Sequence, residues 1–140
     1  MKLLGTEIVH FVISLFVGVF FFDKAGWLGI VVALMSGFLI DSDHLIDYLM
    51  YEKNWKKLSI KKFLSSEHFE KSGKLHIFFH GWEYAIGFFC IGLLLNWWWL
   101  VALAVSNYLH LLVDQLTNDV NLKAYFVSYR FMKKWKSQCL

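Results

Sequence analysis

Apolar residues gather in four runs, at 3–22, 26–40, 75–95 and 97–113, separated by short polar segments. A bilayer crossing takes about 20 residues, so the runs suffice provided the more polar segment 41–50 completes the second. They predict helices at about 3–22, 27–51, 75–95 and 97–116, with tight turns at 23–26 and at Asn96. Residues 52–74 are too polar to cross and form a basic, partly amphipathic connection. In the tail, about 120–137, Leu122, Tyr125, Phe126 and Tyr129 share one helical face while Lys123, Arg130 and Lys133 lie elsewhere. That is the pattern of a helix resting on an anionic leaflet. The expected fold class is all-α: a polytopic membrane four-helix bundle, residues 1–140 as a single domain, with a basic cytoplasmic connection and a C-terminal interfacial helix.

Composition agrees. With 58% hydrophobic residues among 140, concentrated in four runs, a membrane protein is favoured over a soluble core. The first run resembles a signal peptide, but Glu7 and His10 interrupt it and no small-residue cleavage site follows Phe22, so it is expected to stay as a membrane helix. Cys90 and Cys139 have neither metal-ligand nor disulfide spacing. Lys53, Lys56, Lys57, Lys61, Lys62, Lys71 and Lys74 crowd the central connection, and Lys123, Arg130, Lys133, Lys134 and Lys136 fill the tail. The positive-inside rule then predicts an integral (cell or inner) membrane protein with both termini cytoplasmic. Trp27 and Trp97 to Trp99 fall where an outer aromatic belt belongs. The expected partners are membrane lipid and anionic inner-leaflet headgroups; no nucleic acid is expected, and the oligomeric state is left open.

Asp41, Asp43 and His44 close the second run, where a charged side chain costs roughly 2.5–3.5 kcal/mol unless it finds a partner. Counted from the outer interface, His10 lies twelve residues before Phe22, Asp41 fourteen after Trp27, His80 fifteen before Leu95 and His110 thirteen after Trp97. At about 1.5 Å per residue these are depths of ~18 to ~22 Å, one layer in the cytoplasmic half of the bilayer. Asp41 and His44 are i,i+3 and His110 and Asp114 i,i+4, so each pair shares a helix face, as do His80 with Glu83 and Glu7 with His10. Bundles build metal sites from carboxylates and imidazoles projected inward at such spacings. The candidate ligands are His10, Asp41, Asp43, His44, His80, His110 and Asp114. Imidazole with carboxylate suits zinc, manganese or iron, with zinc the first choice, and the carboxylate count allows two ions.

Glu83 is open as ligand, hydrogen-bonding support or general base, with general base favoured and Asp43 the other candidate for the proton. Asp47 is expected to face the interface, His76 to contact loop or substrate, and His68 to be solvated. Lys57, Lys61 and Lys62 are placed to attract an anionic headgroup.

Over about residues 5–120, the early membrane histidine His10, Asp41-Ser42-Asp43-His44, His80-Gly81-Trp82-Glu83 and His110 to Asp114 followed by Gln115-Leu116-Thr117 resemble the predicted membrane-bound metal-dependent hydrolases. That family is similar in turn to zinc-dependent phospholipases and nucleases. The chain departs from it at Ile40, where many members have proline, and between His76 and Glu83, where many carry His-Arg-Gly-x-Thr-His-Ser. The resemblance implies metal-dependent hydrolysis, and a site in the inner half of the bilayer under the lysine-rich connection fits a phosphoester of a lipid or a membrane-associated anion. The alternatives are a metal-ion or proton transporter using the Asp and His layer as a relay, and a haem protein with His44 and His110 as axial ligands.

Overall fold

A computed structural model of the chain describes residues 2–53, 58–64, 71–74, 76–118 and 121–136. Lys57, His68 and Cys139 lie outside the described residues. The chain is all-helical, and the isolated bridge between Lys74 and Lys136 is the one strand-like pairing among the described residues.

Helix α1 spans Lys2–Phe20 and α2 Phe22–Leu34. The predicted turn at 23–26 is helical up to Ala25 and kinks at Gly26, whose φ of +59° and ψ of −157° suit only glycine. α2 runs through a π-helical turn at Met35–Leu39 and a bend at Ile40 and Asp41 into α3, Ser42–Glu52. The second predicted helix is therefore one apolar stretch, Phe22–Glu52, but not one regular helix. A short α4 covers Ile60–Leu64, and Tyr48 Oη accepts the Ser59 N–H at 3.1 Å just before it. α5 is Trp82–Leu94 and α6 Trp98–Thr117, joined by a hairpin in which Trp97 N–H donates to Gly92 O at 2.8 Å. A 3-10 turn at Leu122–Tyr125 precedes α7, Val127–Met132.

Helix α6 is the hub, packing on α1, α2, α5 and the π-helical turn. Its inner face is made of small residues. Val17, Ala33 and Ala102 form one core cluster, and nearer the end that holds His10 and His110, Ser106 donates to Ala33 O at 2.8 Å beside Ser14, which donates to His10 O at 2.7 Å. Such contacts let apolar helices approach closely where no water drives them together. Gly37, in the π-helical turn, is the tightest of them: a Cβ there would lie 1.5 Å from Ser14 Oγ and 2.6 Å from its Cβ. Two stretches, Phe22–Glu52 and Trp98–Thr117, are long and apolar enough to cross a membrane; Gly5–Phe20 and Trp82–Leu94 are apolar but shorter.

Two expectations are corrected. The third helix does not start at 75 but at Trp82, because the backbone ahead of it is bonded elsewhere. His76 N–H donates to Asp47 Oδ1 at 3.0 Å and Phe79 N–H to Asp43 Oδ2 at 2.9 Å, so 76–81 stays extended until Gly81 caps α5. The tail is not a continuous interfacial helix either. Tyr125 is buried with Ile77, Trp82 and Leu111, and Phe126 packs on that cluster, so the middle of the face expected to meet lipid docks on protein while Leu122 stays exposed.

Gly37→Ala is expected to cost about 1–3 kcal/mol, the usual penalty for overpacking a tight contact. The measurement is the thermal midpoint in detergent. Adding Ser14→Gly, which removes the atoms the new methyl strikes, should recover part of the loss. A Gly37→Ala protein as stable as its parent would refute the close approach.

Candidate metal centre

The site is assembled where the helices stop being regular. Asp41 sits on the bend after the π-helical turn, His80 on the extended segment, and His110 and Asp114 one turn apart on α6. Asp41 Oδ1, His80 Nε2, His110 Nε2 and Asp114 Oδ2 converge. His80 Nε2 lies 3.1 Å from Asp41 Oδ1, 3.4 Å from Asp114 Oδ2 and 3.3 Å from His110 Nε2. His110 Nε2 lies 3.3 Å from Asp114 Oδ2 and 3.6 Å from Asp41 Oδ1.

The outer nitrogens decide what the inner ones are. His110 Nδ1 is 3.1 Å from the carbonyl of Gly37, which only accepts, so that nitrogen carries the proton. His80 Nδ1 is 3.0 Å from Asp43 Oδ2 and donates to it for the same reason. In the neutral imidazoles both Nε2 atoms are then lone pairs, facing each other and two carboxylate oxygens in a buried space. Four such acceptors repel one another, and either a second proton on His80 or a cation among them relieves this. Ligand atoms ~2.0–2.2 Å from a tetrahedral ion are ~3.3–3.6 Å apart, and the five edges above run from 3.1 to 3.6 Å. The donor set fits a divalent ion, and this His and Asp cluster could hold one.

The π-helical turn belongs to this geometry. An inserted turn of this kind leaves a carbonyl outside the regular ladder, and the Gly37 carbonyl serves to orient His110. Asp43 and Asp47, one turn apart on α3, form a rack for the extended segment. Each accepts one backbone N–H and one imidazole Nδ1–H, Asp43 from Phe79 and His80, Asp47 from His76 at 3.0 and 2.8 Å.

Of the seven expected ligands, four form this cage. His10 stands behind it, its Nε2 3.1 Å from Asp114 Oδ1 and its ring stacked on His110 at 3.8 Å, so it fixes the rotamer of Asp114. Asp43, His44 and His80 form a second group able to hold a metal ion. His80 is common to both groups, and serving two ions would require it to lose both ring protons. The simpler role for Asp43 is to orient His80, the support that ligating histidines usually receive. His44 is at the open edge, 24% exposed, with Nε2 3.5 Å from Asp41 Oδ1.

Other expectations are corrected here. Glu83 does not face the cage: its carboxylate accepts from Val127 N–H at 3.0 Å, Ser128 N–H at 2.9 Å and Ser128 Oγ at 2.7 Å, capping α7. Asp47 is buried, not interfacial, and is paired with His76, which stands apart from the cage. Lys61 and Lys62 lie on the exposed α4, with Lys62 Nζ 3.6 Å from Glu52 Oε1.

Arg130 was read as a polar-face residue and is fully buried, donating from Nη2 to the carbonyl of His80 and lying 5.6 Å from the Trp135 ring. Burial pushes its guanidinium down to about 10, against the opposing pull of Asp43 and Glu83. A signal existed: Arg130 is the single arginine among 14 basic residues. Where lysine serves every solvated position, one arginine marks a buried fork of donors.

Comparison with known proteins finds no family model, no curated protein and no solved structure that matches the chain.

Elemental analysis of detergent-purified protein checks the cage. His110→Ala and Asp114→Ala are each expected to lose bound metal, while Glu83→Gln and Lys62→Ala keep the parent stoichiometry. Full metal content in both cage variants would dismantle the site.

Proposed function

We propose that this protein is a membrane-embedded, metal-dependent hydrolase acting on a phosphoester of a lipid or membrane-associated anion. The observation that carries the reading is the convergence of Asp41, His80, His110 and Asp114 on edges of 3.1–3.6 Å among apolar helices. Zinc is the ion of first choice, because the donors are nitrogen and oxygen with no thiolate and the five edges match those around a tetrahedral zinc. A divalent ion held there supplies Lewis acidity toward a phosphoryl oxygen and a water molecule. The chain's own groups do the rest: Asp43 and Gly37 O hold the two imidazoles in their tautomers, and His10 holds Asp114.

With Glu83 committed to α7, the proton acceptor falls to His44, the partly exposed imidazole beside Asp41. His44→Gln is expected to keep the metal and lower turnover of a phospholipid in mixed micelles by ~10²–10⁴, the usual size of a general-base contribution. Loss of metal in this variant would make His44 a ligand instead. If zinc-loaded parent protein released no product from lipid phosphoesters, with or without chelator, the hydrolase reading would fall.

The membrane orientation rests on the lysine distribution, and the docking of the basic tail at the cage end of the bundle supports it. A reporter fused after Gln138 should be active only in the cytoplasm and one inserted near Ala25 only outside. The reverse pattern would put the site under the other leaflet. The transporter reading has less support. Beyond Ser14 and Ser106, α1, α2 and α6 close on Val17, Ala33 and Ala102, with no polar path through that cluster. Haem is disfavoured by Asp41 and Asp114, which a bis-histidine iron has no use for.

A further inference from the structure

A cavity of about 560 Å³ lies between the π-helical turn with the start of α3 on one side and α5 on the other, with α6 as its floor, and its walls are almost wholly apolar. Its residues are neighbours of the cage ligands. Ile40 and Ser42 bracket Asp41, Phe79 precedes His80, and Asn107 is one turn before His110 on the same face of α6. From the cage it runs outward to Met35 and Leu103, six and seven residues from Asp41 and His110. That is ~9–10 Å at helical rise, towards the bilayer midplane. Its mouth is flanked by Met35 and Phe79, both exposed, so it opens sideways where the lipid would be.

The cavity has one polar peculiarity. Asn107 is 94% buried, and its side-chain oxygen has no hydrogen-bond partner among the described residues. A buried carboxamide left unmatched is costly unless something else meets it. It sits ~4.5 Å outward from His110, where a molecule with its phosphate at the cage would carry its ester or hydroxyl.

We propose that this cavity binds one acyl chain of a lipid phosphoester, with Asn107 holding the polar junction between head and chain. The inference rests on the hydrolase reading and narrows it to amphiphiles whose chain hangs from the cage towards the midplane, the direction of a lipid in the cytoplasmic leaflet. At ~1.3 Å advance per methylene, as C–C bonds of about 1.5 Å allow, the cavity seats about eight carbons, and any remainder passes into the bilayer. A lumen of this size with apolar walls and few polar groups is typical of small-molecule sites.

A single-chain lipid phosphoester carrying a diazirine about six carbons from the head tests this without requiring turnover. On irradiation with purified protein, adducts should concentrate in peptides containing Met35, Phe88 and Leu103, and unlabelled lipid phosphoester should compete them away. The same chain on a neutral, phosphate-free glycerol should not concentrate there. Met35→Trp and Leu103→Trp fill the cavity from opposite walls; each should keep its bound metal, which reports the fold, and lose at least about tenfold of the cavity labelling. Adducts spread evenly over the exposed faces of α1 and α5, or unchanged in both variants, would overturn the proposal. So would chain-to-chain cross-links through the cavity, which would mean a second copy occupies it. If labelling concentrates but no lipid phosphoester is ever turned over, the hydrolase reading fails while the chain site stands.

Discussion

Four electron-pair donors brought face to face inside an apolar bundle are the constraint that the rest of the fold answers to. Buried ionised carboxylates cost several kcal/mol each unless they are matched, and Asp41, Asp43, Asp47 and Asp114 all lie within one end of this small protein. Nearly every irregularity of the backbone is found at that end. The π-helical turn exposes the Gly37 carbonyl to His110, the segment before α5 gives its N–H groups to Asp43 and Asp47, and the tail brings Arg130 to the carbonyl of His80. Apart from the kink at Gly26 and the hairpin turn at Asn96, the opposite end is helix packed on small apolar contacts.

This division explains what could be read in the sequence. The all-helical class followed from apolar runs, because a helix satisfies its own backbone wherever its surroundings are apolar. Three cage residues, Asp41, His80 and His110, followed from a depth shared with His10, and Asp114 from its i,i+4 spacing to His110. What stayed hidden was the backbone at the site, where side chains compete for N–H groups that hydropathy assigns to a helix. His76 to Gly81 is as apolar as a helix start should be, yet the rack of Asp43 and Asp47 takes its donors. In hindsight the matching i,i+4 pairs, Asp43 with Asp47 and His76 with His80, carried that information.

Glu83 and Arg130 show a second limit. Both were judged by their position along predicted helices, as if the tail lay apart from the bundle. A tail that folds back brings new partners, and no helical period reports them. Glu83, one residue past the start of α5, meets the N-terminus of α7 and is consumed there. Arg130, which shared a segment with four lysines, reaches the cage from behind. Only the choice of arginine over lysine separated it from its neighbours.

The same contacts decide how the cage can be reached. On the side of the tail, Tyr125, Phe126 and Arg130 are packed over the segment that holds His80. On the outer side Ser14, Gly37 and Ser106 close at distances too short for even a methyl group. Between α1 and α6, the stacked rings of His10 and His110 fill the gap. The cavity between the π-helical turn and α5 is left as a lateral approach, walled by Ile40, Phe79 and Phe88. A small hydrated anion gains nothing along such a wall. Under the proposed hydrolase reading, an amphiphile in a bilayer would slide its chain sideways to bring its head to the cage, so that access by this route would favour membrane-resident substrates before any chemistry occurs.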